Sequence, residues 1–290
     1  FAPANSTVVL NGNASYDPNA DINAIIAKSK VVVFGDSAHK SNIIDNAVGE
    51  YLRTFKPAAF ITEAGDQTKQ TLINDAYRKG ELKTLFATEG SATKTAFENN
   101  IYTVAADPRT SAEKDRILMV LEINQIKKDI NKARRELSEV FEESKQSDFP
   151  HYGLDDRLQI EKAASYKFSN VDEEFAKACH QQALEKPGQI SAMVGTAHLH
   201  GIQKNLEEFN KKNPIQGDVS YIVMIPVDEK TFGELQQYGV FKINGRYIVP
   251  LEDKGTHAYN MSEFISYIDS VPGNDDITVT ASEIVRDYDG

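Results

Sequence analysis

The run Val31-Val32-Val33-Phe34 constrains the fold of this chain more than any other stretch. It offers no polar side chain to either face. It therefore fits a strand covered on both sides, as in a parallel sheet sandwiched between helices. Its flanks carry a helical period. Residues 21–30 place Ile22, Ile25 and Ile26 on one side, and residues 42–55 do the same with Ile43, Ile44, Val48, Tyr51 and Leu52. Lys56-Pro57 closes the second of these helices. Residues 58–62 read as the next strand, 68–80 and 93–100 as helices, and 101–106 as a third strand. This order predicts an α/β fold: a mostly parallel sheet flanked by helices, with right-handed crossovers.

The middle of the chain changes character. Met119, Ile123, Ile126, Ile130, Ala133, Leu137 and Val140 recur at alternating four- and three-residue steps, an apolar seam on one long helix within residues 111–147. The seam suits a second helix at about residues 155–186, and the helix over 117–141 is also the place where an oligomer would form. Strands return at 190–194 and 219–227, with a helix at 201–212 between them. Asn244-Gly245 between apolar runs signals a late antiparallel hairpin over 240–250. Residues 277–280 read as one more strand. The expectation is one α/β domain over residues 1–290, with a helical insert at about 111–187.

Polar groups stand where the strands end. The first is followed by Gly35-Asp36-Ser37-Ala38-His39, the second by Glu63, the third by Asp107-Pro108-Arg109, and the fourth by Gly195-Thr196-Ala197-His198-Leu199-His200-Gly201. Ligands of open α/β sheets sit in the crevice at these strand ends, so residues far apart in sequence converge there. His39, Glu63 and His198 then form a nitrogen and oxygen donor set suited to zinc, manganese, iron or cobalt. Asp36 and His200 add ligands or fix a histidine tautomer from behind. A metal would polarise a carbonyl and acidify a bound water. Without one, a histidine held by a carboxylate acts as general base, and Arg109 binds a substrate carboxylate or phosphate, or a developing oxyanion. Plainer roles compete: Asp36 as a helix N-cap, and Asp107-Pro108-Arg109 as a turn closed by its own ion pair. His151, His180 and His257 lack any such context.

Composition removes other classes. A net charge of -11 over 290 residues argues against a nucleic-acid backbone as partner. No stretch approaches the roughly 20 apolar residues of a membrane span. Cys179, the single cysteine, excludes an internal disulfide and a Cys-rich zinc site. Cys179 and His180 are neighbours on a helix and point to different faces, so a buried thiol is expected rather than a nucleophilic pair. The chain opens on Phe1 and a polar stretch, which reads as a processed or partial product.

These motifs resemble the superfamily that joins erythromycin esterases, the ChaN haem-binding proteins, the TraB proteins and the TIKI metalloproteases. Gly35-Asp36-Ser37-Ala38-His39 is similar to the Gly-Glu-x-x-His signature of the esterases, with Asp36 one methylene shorter than the family's Glu. Glu63 matches the glutamate that ends the second strand. Residues 195–202 resemble the Gly-x-Gly-His-x-x-Gly-Ile block of TraB and TIKI, with Ala197 in place of its second Gly. Asp107-Pro108-Arg109 sits where TraB-like chains carry an Asp-Arg pair. The resemblance, over roughly residues 30–205, implies a hydrolase of peptide or ester bonds with a peptide or small-molecule substrate. The rival it implies is a non-catalytic domain that holds haem or another small molecule, or engages a host, in a secreted or effector protein of a bacterium.

Overall fold

The structure is a computed structural model and describes residues 14–17, 20–37, 42–63, 67–84, 91–109, 154–255 and 258–270. They fall in two compact units, residues 1–107 with 171–277 and residues 108–170 with 278–290. In the second, the described residues are Pro108, Arg109 and the backbone of a helix over 154–170. The apolar seam from Met119 to Val140, the strand expected at 277–280, and His39, His151 and His257 lie outside the described residues.

The first unit is built on an eight-stranded sheet in the order β1-β7-β8-β6-β2-β5-β3-β4. Its strands are β1 (Ala14–Asp17), β2 (Ser29–Asp36), β3 (Ala59–Thr62), β4 (Thr103–Ala105), β5 (Ile190–Gly195), β6 (Asp218–Val227), β7 (Val240–Ile243) and β8 (Arg246–Glu252). From β4 across to β8 every pairing is parallel. The hairpin falls where Asn244-Gly245 put it: both residues have positive φ, 49° and 80°, and β7 and β8 pair antiparallel. Beyond it, β1 pairs antiparallel with β7 and forms the outer edge. That strand lacks an apolar run and is held by its ladder, so it leaves no trace in the residue pattern.

Helices cover both faces. Val32 and Phe34 of β2 point to the side of α1 (Ile22–Lys28), α2 (Asn42–Phe55) and α4 (Ser91–Glu98), where they pack with Ile26, Ile44, Val48, Leu52 and Ala96. Val31 and Val33 point the other way. There they meet Phe175 and Cys179 of α5 (Leu154–Glu185), Leu199, Ile202 and Leu206 of α6 (Leu199–Lys212), Leu235 of α7 (Glu229–Gln236) and Phe264 and Ile268 of α8 (Met261–Ser270). All four residues of the apolar run are 0% exposed, which accounts for its lack of polar side chains. Helix α3 (Gln70–Lys79) packs Ile73 and Ala76 near β4, with Leu82, Phe97 and Ala105. Cys179 is buried and its thiol is pushed up to about 12 by that burial, so it is an inert core group.

Candidate functional site

Strands β2 and β5 are neighbours, yet the helices that follow them leave on opposite faces, α2 on one and α6 on the other. A crevice opens at the carboxyl ends of two such strands. The register brings the motif residues to one level: Asp36 lies opposite Gly195, and Glu63 comes one residue after the Thr62–Met193 pair.

His198 lies in this crevice, on the short turn Thr196–His198 that leads into α6, and is 4% exposed. Its Nδ1 is 2.6 Å from Oδ1 of Asp172, and its Nε2 is 3.3 Å from Oε1 of Glu63. The other Glu63 oxygen accepts a 2.9 Å hydrogen bond from the Gly195 backbone N–H. Glu63 thus sits against the first turn of the α6 segment, where backbone N–H groups and the helix dipole favour negative charge. The Asp172 carboxylate accepts a hydrogen bond from the Nδ1–H, which leaves Nε2 facing Glu63. Glu63 Oε1 is thus the group that faces the Nε2 side of the ring.

Sequence reasoning misses Asp172 as a site residue. It lies on α5, in a stretch that reads as core. Its signal is one of register: counting back from Ala183, Cys179, Ala176 and Phe175 by three and four lands on an acidic residue. Asp172 is 8% exposed. It fits because Gly201 has no side chain: a Cβ there would stand 1.9 Å from Asp172 Oδ2 and 2.6 Å from its Cγ. Gly35 makes room in the same way where α6 meets the sheet. A Cβ on it would come within 2.4 Å of Leu199 Cδ1, so α6 settles onto β2 only over a glycine.

The other candidates fall as follows. Asp36 ends β2, 9% exposed, with Ser37 and Thr196 beside it and Tyr267 of α8 reaching the same corner. Tyr267 escapes sequence reasoning too, because 261–270 carries no strong start or stop signal. Helix α6 begins at Leu199, so His198 and His200 do not share a face as they would in an extended segment. The Nδ1 of His200 instead takes a 3.3 Å hydrogen bond from the Arg246 guanidinium, which is itself 1% exposed and lowered in pKa by burial. Asp107 is fully buried after β4, and Arg109 belongs to the second unit. His180 Nε2 pairs with the Asn213 carbonyl at 2.7 Å, a contact that ties α5 to the end of α6.

The fit to a metal rests on donor chemistry. Among the described residues no group of three or more His, Cys, Asp or Glu side chains is arranged to hold an ion. Glu63 and His198 supply one oxygen and one nitrogen, and Asp172 behind His198 Nδ1 is the carboxylate–histidine pairing that metal ligands use. His39, the third donor expected from the sequence, lies outside the described residues. Among the described residues no helix is long and apolar enough to cross a membrane.

No family model and no curated protein matches this chain. Two solved structures are similar in fold. The type III effector HopBA1 aligns over 87% of this chain and all of its own, at 11% identity and a TM-score of 0.40. ChaN of Campylobacter jejuni, solved with cofacially bound haem, aligns over 83% of this chain and 98% of its own, at 13% identity and a TM-score of 0.38. At such distance neither carries an argument about activity.

Proposed function

We propose that the crevice at the ends of β2, β3 and β5 binds a small molecule or peptide and hydrolyses an ester or peptide bond in it. The supporting observation is the buried relay from Asp172 through His198 and Glu63 to the Gly195 N–H. Asp172 holds the imidazole in one tautomer. Nε2 takes a proton from an attacking water and returns it to the leaving group, and the Glu63 carboxylate beside it stabilises the imidazolium formed in between. General acid–base catalysis of this kind contributes about 10²- to 10⁴-fold. A divalent metal on His39, Glu63 and His198, when bound, would polarise the carbonyl and acidify the water. Asp36 at the end of β2 is then the group that completes substrate binding. Membership of the esterase, ChaN, TraB and TIKI superfamily, and a secreted or effector setting, belong to the same reading and rest on the motifs around Gly35 and Gly195.

A second reading has an observation of its own. Both imidazole nitrogens face carboxylates, and the His198 side chain is 6% exposed against 24% for Glu63. A ligand meets Glu63 before it meets His198, which suits a domain that holds a small molecule, such as haem, without turning it over. The experiment that separates them uses purified wild type and His198→Ala with p-nitrophenyl acetate, a fluorogenic peptide library and hemin. Turnover lost in the variant supports hydrolysis. No turnover, together with a shifted Soret band on adding hemin, transfers the assignment to ligand holding.

A further inference from the structure

The eight-stranded sheet ends at β4, and a side chain closes its outer edge. On the inner side, Tyr102 O accepts from the Phe60 N–H at 2.8 Å and the Ala106 N–H donates to Thr62 O at 3.4 Å, both toward β3. Alternation along the strand turns the backbone groups of Thr103, Ala105 and Asp107 outward, to where a further strand would pair. Residues 67–70 stand there instead. Gln70 is the first residue of α3, and its Nε2 donates to Thr103 O at 3.1 Å while its Oε1 accepts from the Ala105 N–H at 2.8 Å. Nε2 also donates to Asn74 Oδ1 at 2.8 Å, an oxygen that accepts from the Tyr102 hydroxyl at 3.1 Å. One carboxamide thus copies the N–H and C=O of a neighbouring strand. Gln67 continues the row with its backbone N–H, 3.2 Å from Asp107 O.

The strand needs such cover. Ile101-Tyr102-Thr103-Val104-Ala105-Ala106 carries no charge and no proline, the features by which edge strands keep other chains away. An uncharged, β-prone segment of six residues is suited to pairing with its own copies. We propose that Gln70, supported by Asn74, is a built-in guard of this edge: it occupies the outward pairing groups of β4 and denies them to β4 of a second copy of this chain. The residue type fits the task. A carboxamide both donates and accepts, whereas a carboxylate would face the Thr103 carbonyl with no hydrogen and an ammonium would face the Ala105 N–H with no acceptor. The guard works at the sheet edge and does not depend on what the crevice binds or turns over.

Hydrogen exchange and sedimentation of the full chain test it, with wild type beside Gln70→Ala/Asn74→Ala and Gln70→Glu. In dilute double variant the Ala105 amide should exchange about 10-fold faster than in wild type, the factor that one net hydrogen bond carries. The mass of that variant should climb above the wild-type value as concentration rises. The Ala105 amide should slow again in step, because β4 is then paired with a second β4. In Gln70→Glu the carboxylate still accepts from the Ala105 N–H and sets a charge on the edge, so the mass stays at the wild-type value. Unchanged Ala105 exchange in the double variant overturns the proposal. So does a mass that follows wild type at every concentration, or association that leaves the Ala105 amide fast. If the double variant does not fold, Gln70→Met, which keeps the side chain's length and removes its amide, takes its place under the same criteria.

Discussion

Replacing Gly201 by alanine should uncouple His198 from its carboxylate without touching either residue. The new methyl would stand 1.9 Å from Asp172 Oδ2, 2.6 Å from Cγ and 2.8 Å from Cβ, so the Asp172 side chain has to leave. It takes with it a 2.6 Å hydrogen bond between two buried groups. Losing a hydrogen bond to a charged group costs about 1.5–3 kcal/mol. Alanine in place of glycine inside a helix returns about 1 kcal/mol. The net loss is about 0.5–2 kcal/mol, or roughly 1–8 °C in the midpoint of a chain this large. The sharper readout is the ring nitrogen spectrum of His198, one of six histidines. With Asp172 displaced, the single Nδ1–H tautomer gives way to exchange between tautomers. In an Asp172→Ala background most of the penalty should vanish, because only the Cβ contact at 2.8 Å remains. Gly201→Ala that is as stable as wild type with an unchanged His198 spectrum would refute the argument. So would an equal penalty in both backgrounds.

Other outcomes follow from the same geometry. Cys179 should resist Ellman's reagent at pH 8 in the native protein and react once urea unfolds it, because its thiol is fully buried. Its folded pKa is raised from 9.0 to about 12, so its contribution is complete below about pH 9 and is lost as the pH climbs toward 12; Cys179→Ala should flatten that alkaline slope in denaturant titrations. Gly245→Ala forces a side chain to φ 80° and should cost about 1–2 kcal/mol by urea unfolding. Phe34→Ala should cost about 3–5 kcal/mol in the same assay, since the ring is 0% exposed and packs edge-on against Tyr51 at 4.8 Å.

The parallel core can be read from the sequence because burial on both faces leaves a one-dimensional trace. Val31 to Phe34 shows it, and so does the period of residues 42–55, which matches α2 (Asn42–Phe55) residue for residue. The hairpin is legible because only a few residue types accept positive φ at Asn244 and Gly245. Strand β1 is hidden because an edge strand held by backbone ladders needs no particular side chains. Glu63 and His198 can be proposed as neighbours because both follow strands, and strand ends share one edge. Asp172 cannot, since a helix residue reaches the crevice only through packing, and its partner Gly201 is a motif letter without a spatial reason. His200 shows the reverse: its spacing from His198 suggests a shared face, and the onset of α6 at Leu199 turns it toward Arg246.

The central claim is that His198, held by Asp172 and facing Glu63, activates water in this crevice. Its most direct test is the initial rate of ester and peptide hydrolysis by wild type beside His198→Ala and Glu63→Gln, with thermal midpoints and metal content measured on the same samples. The account predicts measurable wild-type turnover that falls by about 10²- to 10⁴-fold in each variant while the protein stays folded. Turnover that survives His198→Ala, or its absence from folded wild-type protein with and without added zinc, manganese, iron or cobalt, would contradict it.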